Sequence, residues 1–125
     1  MLKDRDAAAM IPAKDIEKTR RFYEDVLGFP VVRESPGGIT YQSGGGQFNL
    51  YPTQFAGTAQ HTLIGWQVDD IESTIDDLAA NGVTFVQYDF PDFKTDANGV
   101  ADFDGEKGAW FKDPEGNILS LWQTK

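Results

Sequence analysis

Hydrophobic residues change their spacing several times along the first half of the chain, and each spacing predicts one element. The apolar run Ala7 to Pro12 predicts a buried strand. Apolar residues at helical spacing then predict a helix that Asp15 caps and Gly28 ends. Three short strands follow, separated by glycine-rich turns. They are expected at Pro30 to Glu34, Ile39 to Gln42 and Gln47 to Pro52.

The second half of the chain repeats the order β-α-β-β-β. A strand is predicted over His61 to Val68, followed by a helix that begins after Asp70 and ends at Asn81-Gly82. A strand over Thr84 to Tyr88 comes next. The segment Asp89 to about Lys107 is expected to be a long polar loop, which at this length is either functional or mobile.

The chain closes with a predicted β-hairpin whose turn is Asp113-Pro114-Glu115-Gly116-Asn117. On its last strand, Ile118, Ser120 and Trp122 should point to one face of the sheet, because side chains alternate along a strand. We expect the phenylalanines of the preceding loop to close over that face. They are Phe90, Phe93 and Phe103.

The two halves also share residues, which indicates a duplication. Asp15-Ile16-Glu17-Lys18-Thr19 matches Asp70-Ile71-Glu72-Ser73-Thr74 at four of five positions. The pattern predicts an α+β fold in which tandem βαβββ modules form one cupped mixed sheet. Residues 1–125 are interpreted as a single domain. Module 1 covers about 7–52, the linker about 53–60 and module 2 about 61–123.

Composition narrows the possible functions. The formal net charge is −9, which argues against nucleic acid as a partner and is compatible with a cationic small ligand. No apolar run is long enough to span a bilayer, and the charged N-terminus lacks a signal peptide's apolar core. The chain has no cysteine, so thiolate metal sites and disulfides are excluded. We therefore expect a cytoplasmic protein with no membrane partner.

Three segments resemble a known family, the vicinal oxygen chelate superfamily, which includes glyoxalase I, bleomycin-resistance proteins and extradiol dioxygenases. They are Asp15 to Phe29, Trp66 to Ile71 and Phe111 to Asn117. The resemblance implies the cupped fold and a homodimer. It says little about the reaction, because this scaffold hosts many chemistries.

Enzymes of this family typically hold a divalent metal in the cup. The resemblance places the four ligand positions on Ala8, Asn49, Leu63 and Ser120. Alanine and leucine cannot ligate a metal, and neutral asparagine and serine replace carboxylates poorly. We therefore expect no divalent metal and no other cofactor.

Alternation along the strands separates a uniformly apolar face from one that mixes aromatic, amide and hydroxyl groups. Such a mixture is typical of a small-molecule pocket. The candidate ligand-binding residues are Asn49, Tyr51, His61, Leu63, Gln67, Ser120 and Trp122.

The leading hypothesis is a metal-independent protein that binds or sequesters a small ligand in the cup, and the acidic composition is compatible with a cationic one. The alternative is an enzyme of the same superfamily, a lyase, isomerase or dioxygenase-like protein. It would use His61 or Tyr51 for proton transfer, or a metal in a shifted site. His61 is the candidate catalytic residue because it is the only histidine. A third hypothesis is a ligand sensor that acts through a partner.

Overall fold

The computed structural model describes residues 1–125, and its first half forms a four-stranded mixed sheet. A short 3-10 helix, Leu2–Asp4, precedes the sheet. The strands are β1 (Ala9–Ala13), β2 (Val31–Ser35), β3 (Gly38–Ser43) and β4 (Gly46–Pro52). Their order is β1-β4-β3-β2, with β1 parallel to β4 and the other pairs antiparallel.

The second half forms a sheet of the same design. Its strands are β5 (Thr62–Gln67), β8 (Val100–Phe103), β9 (Glu106–Lys112) and β10 (Ile118–Gln123). Their order is β5-β10-β9-β8, with β5 parallel to β10. A separate two-stranded hairpin consists of β6 (Asp89–Phe90) and β7 (Phe93–Lys94). The α+β fold with a repeated strand order is confirmed.

In each half, a helix that an aspartate caps follows the first strand of the sheet. The helices are α1 (Ile16–Arg21) and α2 (Ile71–Ala80). The carboxylates of Asp15 and Asp70 accept hydrogen bonds from the backbone amides three residues later, at 3.2 and 3.1 Å. These bonds satisfy amides that the first helical turn leaves unpaired, as predicted.

A π-helical turn, Phe22–Val26, continues α1, and the sequence did not predict it. The amide of Leu27 donates to the carbonyl of Phe22, five residues earlier, at 2.9 Å. The wider turn ends near Gly28, whose φ of 82° suits glycine. Tyr23 lies in this turn and is fully buried.

One hydrophobic core lies between the two halves. Phe48 of the first sheet contacts Trp66 of the second at a ring-centroid distance of 6.2 Å, and Trp66 stacks on Phe111 at 6.4 Å. Trp66 therefore lies on the core side of β5. We call the face of each sheet that is turned away from this core its open face.

The predicted strand Thr84 to Tyr88 is wrong, because only Phe85 pairs there, in a single bridge with Phe111. The strand that completes the second sheet is β8, inside the segment predicted to be a loop. The acidic residues at the end of β8 make this segment look polar, so the hydrophobic pattern did not predict a strand there. The carboxylate of Asp102 accepts a hydrogen bond from the amide of Gly105 and so belongs to the β8–β9 turn rather than to a solvated loop.

The prediction of one continuous cupped sheet is also corrected, since the two sheets are not hydrogen-bonded to each other. Pro12 lies in β1 and has no N–H to offer a neighbouring strand. Its carbonyl accepts a hydrogen bond from the Asn117 side chain at 2.8 Å. The backbone of β1 is therefore capped by a side chain at this point instead of pairing with β5.

Candidate functional site

A row of polar side chains crosses the open face of the first sheet. Met10, Asn49, Thr40 and Arg33 are neighbours in register across its four strands. The Thr40 hydroxyl donates to Oδ1 of Asn49 at 2.6 Å, and the Asn49 amide donates to the sulfur of Met10 at 3.3 Å. Arg33 donates to the Thr40 hydroxyl at 3.4 Å. Both polar atoms of Asn49 therefore already have partners within the sheet.

Tyr51 lies on the same face as Asn49, two residues further along β4. It is half-buried and stands opposite Pro12 of β1. The first sheet thus brings together two of the predicted ligand-binding residues, Asn49 and Tyr51.

Two tryptophans and a serine occupy the open face of the second sheet. Ser120 pairs with Trp110 across β9 and β10, and Trp122 pairs with Gly108. A cavity of about 270 Å³ is lined by these residues together with Phe103 and four neighbours. We call this surface, defined by Trp110, Ser120, Trp122, Gly65 and Gly108, the tryptophan face.

The β6–β7 hairpin places aromatic rings against the tryptophan face. Phe93 meets Trp110 edge-to-face at 4.9 Å, and Tyr88 does so at 5.7 Å. Phe93 also stacks on Phe103 at 5.5 Å. The segment predicted as a loop therefore contributes phenylalanines to the open face, but as a folded hairpin and a strand.

Leu63 and Gln67 lie on β5 at the edge of the tryptophan face. Ile118 pairs with Thr62, whereas Leu119 pairs with Ile64, so Leu63 is the extra residue of a bulge. Gln67 is exposed, stands opposite Trp122 and donates to the Thr124 hydroxyl at 3.4 Å.

His61 precedes β5 and is not part of the strand, contrary to the prediction. Its side chain is exposed, and Nδ1 lies 3.1 Å from the carbonyl oxygen of Thr62. No carboxylate contacts the ring, so the structure provides no group that would orient it as a general base.

The residues at the family's metal positions do not fit a divalent ion. Ala8 and Leu63 carry no donor atom, and the amide of Asn49 is held by Thr40 and Met10. Ser120 offers one neutral hydroxyl. No group of three or more His, Cys, Asp or Glu side chains capable of holding a metal occurs in the chain.

The hairpin turn beneath β10 is tied to the first half by buried polar groups. Burial raises the pKa of the Asp113 carboxyl, against hydrogen bonds from Tyr23 and Asn117 that act to lower it. Burial and the neighbouring Asp113 also raise the pKa of Tyr23, so its hydroxyl stays protonated and donates to Asp113 at 2.7 Å.

The same turn places Glu115 against α1. Its Oε2 accepts hydrogen bonds from the Asp15 amide at 2.8 Å and the Thr19 hydroxyl at 2.9 Å. Burial acts to raise the pKa of Glu115, but these bonds and the amide of Lys14 hold it below its usual value. The turn that positions Ser120 and Trp122 is therefore held to the first half of the chain at both Asp113 and Glu115.

Three residues of the tryptophan face were not predicted from the sequence: Trp110, Gly65 and Gly108. Strand pairing in the predicted hairpin contained a signal for Trp110, because the turn sets it opposite Ser120. The positions of the two glycines depend on the register between strands, which the pattern did not define. Phe103 was expected to close over this face, and it lines the cavity there together with Trp110 and Trp122.

The fold and these motifs agree with a family comparison. The sequence profile of the Glyoxalase/Bleomycin resistance protein/Dioxygenase superfamily matches residues 7–121. The chain belongs to this superfamily. Comparison with curated proteins found no match.

Solved structures of similar proteins share the fold. A glyoxalase family protein from Enterococcus faecalis is 24% identical, with a TM-score of 0.72 over 98% of this chain and 99% of that one. UcmS2 is 20% identical, with a TM-score of 0.70 over 94% and 98%. TnmS3, an antibiotic binding protein from Streptomyces sp. CB03234, is 20% identical, with a TM-score of 0.68 over 97% and 98%. At these identities the likeness establishes the fold alone.

Neither α1 nor α2 has the length and apolar character that a helix needs to cross a membrane.

Proposed function

We propose that the protein binds and sequesters a small molecule on its open faces, without a metal. The observation that carries the proposal is the cavity over the tryptophan face. It is lined by Trp110, Trp122 and Phe103, with the Ser120 hydroxyl among them. Large aromatic surface with a few polar groups is the usual composition of a small-molecule site.

The chemistry of the polar groups supports binding rather than catalysis. Asn49 is engaged within the first sheet, and His61 has no carboxylate partner. No acid, base and nucleophile are brought within hydrogen-bond distance of one another at the tryptophan face. A site of this kind can hold and orient a ligand but lacks a built proton-transfer pair.

The similar structures are consistent with this proposal. TnmS3 is described as an antibiotic binding protein, and it shares the fold along 97% of this chain. Binding without chemistry is therefore compatible with this scaffold, although the ligand of TnmS3 says nothing about the ligand here.

The proposal includes a homodimer. Met10 on the open face of the first sheet is 54% exposed, and Trp122 on that of the second is 43% exposed. Large apolar side chains exposed on a binding face can be covered by a second copy or by the ligand. Light scattering coupled to gel filtration should give twice the chain mass of 13.9 kDa. The chain mass itself would contradict the dimer.

A ligand screen in the presence of a chelator tests the binding function. Tryptophan fluorescence of the protein in EDTA should respond to members of a small-molecule library, and the best compound should bind at one equivalent per chain. Trp122→Ala should weaken that compound, whereas Thr124→Ala, at a neighbouring exposed position, should not. A compound that binds only after metal is added would contradict metal independence.

A further inference from the structure

Each indole ring of the tryptophan face lies against a glycine. Trp122 lies against Gly65 of the adjacent strand, and Trp110 lies against Gly108 of its own strand. A Cβ added to Gly65 would lie 3.2 and 3.4 Å from Cζ3 and Cε3 of Trp122, and 2.6 Å from Oγ of Ser120. The six-membered ring of Trp122 therefore rests on the space that a side chain at position 65 would fill. Gly65 stands directly beside Ser120 in the parallel pairing of β5 and β10.

Gly108 leaves the corresponding space for the ring of Trp110. A Cβ on Gly108 would lie 3.0 Å from Cη2 and 3.4 Å from Cζ2 of the Trp110 ring. Gly108 is buried, and the three heavy atoms nearest to the added Cβ all belong to that indole. The ring of Trp110 thus lies along β9, over the residue that faces Trp122 on the next strand.

Backbone conformation does not explain these two glycines. Neither has the positive φ that favours glycine, unlike Gly28 or Gly82. Glycine in a strand interior otherwise weakens the strand, and it often marks a site where another group must approach closely. Here the approaching groups are the two indole rings, which occupy the space that side chains at positions 65 and 108 would fill.

A single free polar group lies among these rings. Ser120 stands between Gly65 on β5 and Trp110 on β9, and its hydroxyl makes no hydrogen bond within the chain. Trp122 is 43% exposed and Phe103 is 46% exposed, so aromatic surface around that hydroxyl faces outward. The arrangement provides a wide aromatic surface with one hydrogen-bonding group near its centre.

The charges at the rim favour a cation. Glu106 is exposed beside the cavity, and the positive charge of Lys107 is already paired with Glu72 at 2.8 Å. The chain as a whole carries a net charge of −9. A cation held over an indole also gains from the negative face of the ring.

From these contacts we propose that the tryptophan face is a stacking surface for a planar aromatic cation. Gly65 and Gly108 determine its specificity by letting Trp122 and Trp110 lie flat, and Ser120 hydrogen-bonds a polar atom of the ligand. This inference rests on the proposed function, since it names the class of molecule that the same site takes. It adds that flat ligands are selected over compact ones of equal charge.

Binding of 9-aminoacridine, a planar aromatic cation, tests this inference by fluorescence titration. Wild-type protein should bind it more tightly than 1-aminoadamantane, a compact cation, and more tightly than anthraquinone-2-sulfonate, a planar anion. Gly65→Ala and Gly108→Ala should each weaken 9-aminoacridine by about tenfold, because loss of ring stacking costs about that much per base-sized group. Gly37→Ala is the matched control, since a Cβ there meets only the Ser35 hydroxyl at 3.6 Å.

Thermal unfolding of each variant shows whether weaker binding comes from the changed surface of a folded protein or from unfolding. If a glycine variant does not fold, Trp122→Leu replaces it, because this exposed position keeps its apolar character but not its ring. Equal binding of 9-aminoacridine and 1-aminoadamantane would overturn the inference. An unchanged affinity for 9-aminoacridine in the folded variants would also overturn the inference. In that case the compound binds elsewhere on the open faces, and the proposed function still stands. Failure of the proposed function is a different result, in which no compound of the chelated library binds.

Discussion

The hydroxyl of Tyr23 donates a 2.7 Å hydrogen bond to Oδ2 of Asp113, ninety positions later in the chain, and both residues are buried. Tyr23 lies in the π-helical turn after α1, and Asp113 begins the turn between β9 and β10. Oδ1 of Asp113 accepts the amides of Glu115 and Asn117, at 2.9 and 3.0 Å. This bond therefore joins the helix of one half to the hairpin that carries Ser120 and Trp122.

Tyr23→Phe should destabilise the protein by about 1–3 kcal/mol, because it leaves a buried carboxylate with one donor fewer. Urea unfolding at neutral pH measures this difference. Tyr41→Phe is the matched control, since Tyr41 is also a buried ring but its hydroxyl donates to Glu24, whose side chain is 25% exposed. The control should lose less stability. Equal losses would show that the hydrogen bond to Asp113 contributes no more to the free energy of unfolding than the one to Glu24.

Glu115 should make stability depend on pH in the acid range. Its pKa in the folded protein lies below the usual 4.5. The stability it contributes is therefore fully present above about pH 4.5 and is lost as the pH falls through the folded value. Glu115→Gln should be less stable than wild type at pH 7, and the difference should shrink below pH 4.5.

Unfolding free energies at pH 7, 5, 4 and 3.5 test this dependence. Asp113 changes stability in the opposite sense, because its raised pKa makes its share disappear as the pH rises, but it is present in both proteins and cancels. Glu106→Gln, at an exposed glutamate whose side chain makes no hydrogen bond, is the control. A difference between wild type and Glu115→Gln that stays constant down to pH 3.5 would contradict the role assigned to Glu115.

Asp70→Ala should lower the unfolding free energy by about 1 kcal/mol, because it removes the cap of α2. The Asp70 carboxylate accepts the Ser73 amide at 3.1 Å. Asp69→Ala removes a neighbouring exposed carboxylate that caps nothing, and it should change stability by less than about 0.5 kcal/mol. Thermal unfolding of the two variants measures the contrast, and equal shifts would mean that the cap does not matter.

His61→Ala should leave folding unchanged and should alter ligand affinity little. The ring is exposed, and the carbonyl of the next residue is its hydrogen-bond partner. Fluorescence titration of the variant with the best screened compound measures this directly. A turnover of any ligand that wild type performs and His61→Ala does not would instead favour the enzyme alternative.

Much of the fold could be predicted because local chemistry and tertiary structure agree there. The caps at Asp15 and Asp70 and the turn at Asp113 to Asn117 depend on side chains that bond to nearby backbone. Sequence shows such contacts directly. The repeat then extended a correct assignment in one half to the other.

The remainder of the fold depended on long-range packing. The π-helical turn is stabilised where Tyr23 reaches Asp113, which no local pattern records. Val100 pairs with Ala109 to place β8 in the sheet, although the surrounding acids and glycines resemble a loop. Phe85 has the β propensity of a strand residue but forms only one bridge, to Phe111, because β8 pairs with the same strand over residues 106–109.

Only the alternation of side chains along each strand made part of the candidate site predictable. This alternation placed Asn49, Ser120 and Trp122 on open faces, where the structure has them. It could not show that Asn49 is held by its neighbours, or that Gly65 gives space to Trp122. Those relations depend on register between strands, which a bulge at Leu63 shifts by one residue.

Metal content is the most direct test of metal-independent binding. Protein exposed in turn to Fe, Mn, Ni, Zn and Mg, then desalted, should carry well under one equivalent of each by elemental mass spectrometry. Its ligand affinity should be the same before and after this treatment. One tightly held equivalent of any of these metals, or a ligand that binds only to the loaded protein, would contradict the account and favour an enzyme with a shifted metal site.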